Sequence, residues 1–318
     1  MSFFRPKGAP RRNYDLYKGY SYYTPGVKGM LALLGMLLIG MILGSIVTLI
    51  LMPIVGSEAF TAYGYLVIYP LQFVPPMIYA SVKSRRNALF VDGWKLNSSN
   101  FGKWSLWALA ALVIVMTLAL AFASDIVNYI NYKLTTRTPG MARFYEMISE
   151  AMKSMTGGPV WVSILLVGIM APVFEEWLCR GEVLRGLLRR MKPVWAIVIS
   201  ALFFALIHGN PWQALNAFLI GCVLGYVYYK TGSLILTMII HATNNTAAVI
   251  LANIDSLKDV DYFVEIMDKT SYGIFILISL VIVAAALIVF KNIPLRYPSG
   301  GNIDPEESNE ELPEPISQ

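Results

Sequence analysis

The amino-acid sequence is short of charged residues, of histidine and of cysteine. Only 14% of its 318 residues are Asp, Glu, Lys or Arg, whereas a soluble domain usually carries about 25%. Its two cysteines, Cys179 and Cys222, lie in apolar or helical segments, so no disulfide framework is indicated. Hydrophobic residues make up 56% of the chain. This composition excludes an ordinary soluble domain and indicates that lipid surrounds most of the chain.

Long apolar stretches recur along the chain, and the alternating pattern of membrane β-strands is missing. A helix needs roughly 20 apolar residues to cross the hydrocarbon core, and backbone in lipid must satisfy its own hydrogen bonds. We therefore predict an all-α polytopic membrane helix bundle with about eight transmembrane helices. The predicted spans are 29–57, 59–82, 104–124, 158–174, 193–207, 211–229, 233–254 and 271–290.

Basic residues are concentrated in alternate connections between these spans. The leader, the second connection and the fourth connection are rich in Lys and Arg, whereas the other connections are poor in them, mixed or acidic. Because basic loops stay in the cytoplasm, we predict that both termini are cytoplasmic. The net charge of +5 is better explained by this topology and by anionic lipid headgroups than by a nucleic-acid partner.

The spans and the composition of the two ends divide the chain into five predicted regions. The C-terminal stretch, 297–318, is acidic and has no basic residue, which predicts disorder. Apolar residues at helical spacing between Lys133 and Met155 predict an interfacial helix, although packing of that face against the bundle explains them equally well. The regions are a basic cytoplasmic leader (1–28), three transmembrane helices with the interfacial helix (29–157), a core (158–254), an outer loop with the last transmembrane helix (255–295) and a disordered tail (296–318).

Both histidines of the chain, His208 and His241, fall in apolar helical sequence. An ionisable side chain at membrane depth is costly and is a functional hypothesis by default. Glu175 and Glu176 lie at or inside the membrane boundary of the fourth span, and Arg180 follows Glu176 on the same helical face. One carboxylate can then be paired while its neighbour stays available. Taken singly, a packed histidine and an ordinary charged helix end are the alternatives.

A turn around Lys192 relates the first carboxylate to the first histidine. Glu175 precedes Lys192 by about as many residues as His208 follows it, so an antiparallel helical hairpin places the two side chains at nearly the same depth. There they can share one water molecule. The Gly-Asn-Pro run after His208 predicts a helix break, which is tolerated at membrane depth where backbone lines a wet cavity.

His241 and Asn245 are four residues apart on one helical face and could bind a carbonyl or an oxyanion. Two mechanisms stay open. In the first, Glu175 is the general base and His208 orients or deprotonates the water, while the His241 and Asn245 pair stabilises the oxyanion. In the second, Glu175, His208 and His241 hold a zinc ion with one position left open for water.

Three motifs in this order resemble the EExxxR, FxxxH and HxxxN motifs of the CPBP family of intramembrane proteases. That family includes CAAX prenyl endopeptidases and bacterial bacteriocin-processing or immunity proteins. The resemblance covers roughly residues 158–250 and implies eight membrane helices. The residues that carry it are Glu175 and Glu176 with Arg180, Phe204 with His208, and His241 with Asn245.

The resemblance implies that region 158–254 is a catalytic core in which Glu175 and His208 activate water. His241 and Asn245 would form the oxyanion site, with Glu176 and Arg180 as supporting residues of the first motif. Members have been described both as metalloproteases and as metal-independent glutamate proteases, so zinc remains the one cofactor under consideration.

We predict an intramembrane endopeptidase that hydrolyses peptide bonds of membrane-associated polypeptides in a bacterial cell membrane. Its partners would be a peptide or protein substrate and the bilayer, with no nucleic acid. The alternatives are a non-catalytic scaffold or immunity protein, and a proton-coupled transporter that uses Glu and His. A transporter would spread polar residues through both halves, yet the first three spans hold few besides Asp125. Motifs of other intramembrane proteases, such as His-Glu-x-x-His, are absent.

Overall fold

The computed structural model describes residues 25–83, 101–155, 158–188, 190–257 and 260–294. All regular structure in these residues is helical, which confirms the all-α class. The acidic tail, most of the basic leader and most of the second connection lie outside the described residues, so the predictions made for them stay predictions.

Nine helices make up the described part of the chain, besides a short 3-10 turn at Phe263–Glu265. Each of the eight predicted apolar segments falls largely within one of them, and the ninth is the predicted helix before the fourth span. The helices are α1 (Val27–Val55), α2 (Ser57–Lys83), α3 (Leu106–Thr135), α4 (Pro139–Met155), α5 (Val160–Leu188), α6 (Pro193–Ile207), α7 (Pro211–Thr231), α8 (Leu234–Ala252) and α9 (Lys269–Asn292).

Six of these helices are long and apolar enough to cross a membrane, namely α1, α2, α3, α5, α8 and α9. Helix α6 is apolar but has only 15 residues. Helix α7 has 21 residues, but its sequence includes Gln213, Asn216 and Lys230, which lower its apolar character. The prediction of eight crossings therefore remains open for α6 and α7.

Helix α5 is the most deeply buried of the six apolar helices and lies at the centre of the bundle. Every residue from Trp177 to Leu188 is buried. Helix α8 packs against α5 on one side, and the α6–α7 hairpin packs against the second half of α5 on another. Helix α5 also extends well beyond its predicted apolar stretch, which ended at residue 174. The charged residues that follow are therefore inside the protein core.

Helices α1 and α2 form a close pair at the edge of the bundle. The buried residues of α1 are Leu33, Leu37, Gly40 and Gly44, which recur on one helical face. A Cβ atom added at Gly40 would lie 2.0 Å from the carbonyl oxygen of Gln72. The two backbones can therefore approach so closely only because residue 40 has no side chain.

Asp125 connects the loop between α8 and α9 to the bundle. It lies inside α3, which continues eleven residues beyond the predicted end at residue 124, and it is buried. Its carboxylate accepts hydrogen bonds from the backbone N–H groups of Phe263 and Val264 at 3.1 and 3.2 Å, and from the Tyr272 hydroxyl at 2.8 Å. Asp125 is thus a structural residue that holds this loop and the start of α9 on α3.

Helix α4 confirms the helix predicted before the fourth span. Its Phe144 and Tyr145 rings contact the Trp212 ring at 5.5 and 5.1 Å between centroids. The Met152 sulfur accepts from the Asn210 side chain at 3.2 Å. Part of the apolar face of α4 therefore packs on the start of α7, as the alternative interpretation proposed, and its location in the membrane interface stays a prediction.

The contact at Gly40 provides a test of the α1–α2 packing. Gly40→Ala should lower the free energy of unfolding by about 1–3 kcal/mol, because the new methyl group must displace the backbone of α2. Thermal unfolding of the purified protein in detergent measures this change. Gly35→Ala is the matched control, because a Cβ atom at Gly35 meets nothing within 4 Å. Equal melting temperatures for the two variants would contradict the close helix contact.

Candidate active site

Glu175 and Glu176 end a short α-helical segment, Ala171–Glu176, that separates two π-helical stretches of α5. These stretches are Ile164–Met170 and Trp177–Leu184. π-helical turns are rare within α-helices, and those that occur are often at functional sites. The adjacent carboxylates point in different directions around the helix. Glu176 is fully buried, whereas the side chain of Glu175 is 13% exposed.

The predicted helix break after His208 is present. Helix α6 ends at Ile207, Gly209 adopts a positive φ of 60°, and α7 begins at Pro211. The Asn210 side chain caps α7 by accepting a hydrogen bond from the Trp212 N–H at 3.0 Å. The same break places His208 at the end of α6, where its Nδ1 atom lies 2.7 Å from the carbonyl oxygen of Phe204. Because a carbonyl only accepts, Nδ1 is the donor and carries the hydrogen.

Glu175 lies between the two histidines. Its Oε2 atom is 3.9 Å from Nε2 of His208 and also 3.9 Å from Nε2 of His241. This oxygen is buried and has no hydrogen-bond partner among the described residues. Residues from α5, α6 and α8 thus converge on one carboxylate oxygen. The hairpin spacing around Lys192 predicts the first of these approaches.

Glu176 faces a different set of groups. Its Oε1 atom accepts a hydrogen bond from Nη1 of Arg180 at 2.7 Å and lies 3.1 Å from Nδ1 of His241. Arg180 also donates from Nη2 to the carbonyl oxygen of Gly221, on α7, at 3.0 Å. Glu176 and Arg180 are fully buried. The ion pair between them, which their four-residue spacing predicts, also orients the imidazole ring of His241.

Phe204 contacts three of the polar side chains in this cluster. Its ring lies edge to face with His208 at 4.7 Å and with His241 at 5.3 Å between centroids. The Arg180 guanidinium lies over the ring at 4.5 Å. The π face of the ring stabilises the cation.

Asn245 is bound to the first π-helical stretch of α5. Its Nδ2 atom donates to the carbonyl oxygen of Val167 at 3.0 Å. In this stretch the N–H of Ala171 bonds to the carbonyl of Leu166, five residues earlier, so the next donor in the series would be residue 172. Residue 172 is Pro172, which has no N–H. The Asn245 amide replaces that missing donor, and its second N–H remains for another acceptor.

The structure brings Glu175, His208 and His241 into direct proximity and places Glu176 and Arg180 behind His241. Asn245 lies on the same helix as His241, but part of its amide is used in the contact with α5. Among the described residues there is no group of three His, Cys, Asp or Glu side chains arranged to hold a metal ion. We therefore derive no step through a metal.

Sequence reasoning missed Tyr69. Its hydroxyl donates to Oε1 of Glu175 at 2.5 Å, from helix α2. In the sequence Tyr69 is one of 18 tyrosines in a chain rich in aromatic residues, and it precedes Pro70 in an apolar helix. No local pattern links it to Glu175, which lies more than one hundred residues later.

Six helices able to cross a membrane indicate a multi-pass membrane protein, and its Glu and His side chains form a polar cluster inside the helix bundle. Residues 157–247 match the family model described as Type II CAAX prenyl endopeptidase Rce1-like. This segment is a domain of the Rce1-like CAAX prenyl endopeptidase (CPBP) family, which confirms the resemblance seen in the three motifs. It contains every predicted site residue, and Tyr69 lies outside it.

The chain is also similar to the UPF0177 protein YxdF of Lactococcus lactis subsp. lactis (strain IL1403). The two are 25% identical over 161 residues, which cover 49% of this chain and 85% of that protein. No solved structure matches the chain. The Rce1-like domain suggests a protease of the CAAX type.

The buried ion pair provides a stability test. Glu176→Gln should lower the free energy of unfolding by about 3–5 kcal/mol, because it leaves the buried guanidinium of Arg180 without its counter-charge. The matched change Glu265→Gln removes one partner of the exposed Lys133–Glu265 pair, which is 3.6 Å apart. An exposed pair of this kind contributes about 0–1 kcal/mol. Melting temperatures in detergent that fall equally in both variants would contradict a special role for the buried pair.

Proposed function

We propose that this protein is an intramembrane endopeptidase that hydrolyses peptide bonds of membrane-associated polypeptides with a water molecule activated by Glu175 and His208. The observation that carries the proposal is the position of Glu175 Oε2, a buried oxygen 3.9 Å from Nε2 of both histidines. A carboxylate and imidazoles that face one another at membrane depth are an expensive arrangement unless they serve a reaction or transport. The Rce1-like domain favours proteolysis.

Glu175 and His208 would activate the water together. His208 has its hydrogen on Nδ1, so Nε2 of the neutral ring is an acceptor that faces Glu175. A water molecule between these atoms would donate one hydrogen bond to His208 Nε2 and the other to Glu175 Oε2. Glu175 then removes the water proton that is hydrogen-bonded to its Oε2 atom, while the water oxygen attacks the carbonyl carbon of the substrate. The C–O bond forms, and the carbonyl oxygen becomes an oxyanion.

His241 and Asn245 would stabilise that oxyanion. The carboxylate of Glu176 accepts a hydrogen bond from Nδ1 of His241 and orients the ring, and a ring protonated on both nitrogens also has a donor at Nε2. The second N–H of the Asn245 amide is a further donor. Donors that are already oriented lose no reorganisation energy when charge develops on the substrate.

The final step returns the enzyme to its starting state. The proton held by Glu175 passes to the nitrogen of the scissile amide, and the C–N bond breaks. The products are a carboxylic acid and an amine, so water is the only co-reactant. Glu176 and Arg180 take no part in proton transfer in this scheme. Their role is to orient His241 and to keep its charge compensated.

The same proposal includes the topology and the five regions predicted from the sequence. Region 158–254 would be the catalytic core, and α6 and α7 would complete eight crossings with both termini in the cytoplasm of a bacterial cell. The substrate would reach the site from the bilayer or the cytoplasm, and no nucleic acid would bind. Reporter domains inserted after Asp304 should therefore be cytoplasmic, and those inserted after Asp255 should be outside. The same location for both insertions would contradict this topology.

Peptide cleavage tests the catalytic proposal. Purified protein in detergent is incubated with a library of membrane peptides, and products are identified by mass spectrometry. Glu175→Gln and His208→Ala should each lower kcat by at least about a hundredfold, because each removes a group that handles the water proton. Cleavage should persist in a strong chelator.

Glu146→Gln is the matched control, because Glu146 lies exposed on α4 away from the cluster, and it should cleave like the wild type. If Glu175→Gln and His208→Ala also cleave like the wild type, the assignment of these residues is wrong. Cleavage abolished by the chelator and restored by zinc would overturn the metal-free mechanism while leaving the peptidase class intact.

A further inference from the structure

The hydrogen bond from Tyr69 to Glu175 joins the catalytic domain to a part of the chain outside the matched segment 157–247. Tyr69 is on α2, and its hydroxyl donates to Oε1 of Glu175 at 2.5 Å. This is a charge-assisted hydrogen bond, a kind that is short and roughly twice as strong as a neutral one. It is the contact that α2 makes with the proposed general base.

This hydrogen bond distinguishes the two oxygens of the carboxylate. Oε1 is occupied by Tyr69, whereas Oε2 faces Nε2 of both histidines and has no partner among the described residues. The terminal torsion of a glutamate is soft and roughly two-fold, so an untethered carboxylate rotates easily. With Tyr69 in place, one rotation is favoured, and Oε2 is the oxygen presented to a water molecule.

A second contact one helical turn away supports the position of Tyr69. The Phe73 ring lies 5.5 Å from the Tyr69 ring and stacks on the Phe174 ring at 5.2 Å between centroids. Tyr69 and Phe73 are four residues apart on α2, and they contact Phe174 and Glu175, which are adjacent on α5. Two successive turns of α2 therefore hold two successive residues of α5.

The pairing of α1 with α2 fixes the depth of these two turns. Gly40 of α1 lies against the backbone of Gln72, and Gly44 lies against Ile68, so the closest approach of the helices brackets Tyr69. A shift of α2 along its axis would bring side chains of α1 into the backbone at residues 68–72. The hydroxyl of Tyr69 is thus held in place by packing that does not involve the catalytic domain.

We propose that Tyr69 is a positioning residue for catalysis, which holds Oε1 of Glu175 so that Oε2 faces His208 and His241. The inference rests on the proposed function, because it assigns Glu175 the role of general base. The first two helices of the chain are then part of the active enzyme rather than only a membrane anchor.

Tyr69→Phe tests this inference, because it removes the hydroxyl and keeps the ring that packs on Phe73. We expect kcat to fall about tenfold, the effect of losing one hydrogen bond to a charged group, with KM and the melting temperature unchanged. Tyr63→Phe is the matched control on the same helix. Tyr63 is exposed and its ring contacts Trp161 instead, so its kinetics should equal those of the wild type.

Each result separates this inference from the proposed function. Tyr69→Phe with a kcat within twofold of wild type would overturn the positioning role. A fall in kcat accompanied by a higher KM and a lower melting temperature would also overturn it, because it would show a general structural defect. A wild-type protein that cleaves no peptide, or a Glu175→Gln variant that cleaves normally, would instead refute the proposed function and remove the reaction that Tyr69 is proposed to serve.

Discussion

The rest of the site depends on how the buried carboxylate of Glu176 is paired. A charge in a medium of low dielectric constant is stable only when it is paired and hydrogen-bonded. Glu176 is paired with Arg180 from its own helix and with His241 from α8, and Arg180 extends to the Gly221 carbonyl of α7. One ion pair therefore connects three helices. Because Glu176 is the carboxylate that pairs with Arg180, Oε2 of Glu175 has no hydrogen-bond partner in the described part of the chain.

The irregular backbone of α5 also orients a side chain of another helix. Pro172 removes an N–H donor inside a helix, and the π-helical stretch before it leaves the Val167 carbonyl for Asn245. This contact determines which end of the Asn245 amide carries nitrogen, because an amide oxygen there would face a carbonyl oxygen. The orientation of a side chain on α8 thus follows from a proline on α5.

Local patterns in the sequence account for much of this arrangement. Apolar length placed the helices, the four-residue spacing of Glu176 and Arg180 indicated their pairing, and the hairpin around Lys192 indicated that Glu175 meets His208. The contacts of Tyr69 and Asp125 could not be predicted, because each joins residues more than one hundred positions apart without a local motif. Helices α3 and α5 continue beyond the apolar spans predicted for them, because buried charged residues can continue a helix without being apolar.

If α6 crosses the membrane as proposed, this short helix affects the bilayer as well as the protein. A helix of 15 residues is about 22 Å long, whereas the hydrocarbon core is about 30 Å thick. A span several ångströms too short leads to local thinning of the lipid around it, at a modest energetic cost. His208 lies at one end of α6, so the headgroup region would be drawn toward it. Lipid composition and membrane thickness would then influence how readily water arrives beside Glu175.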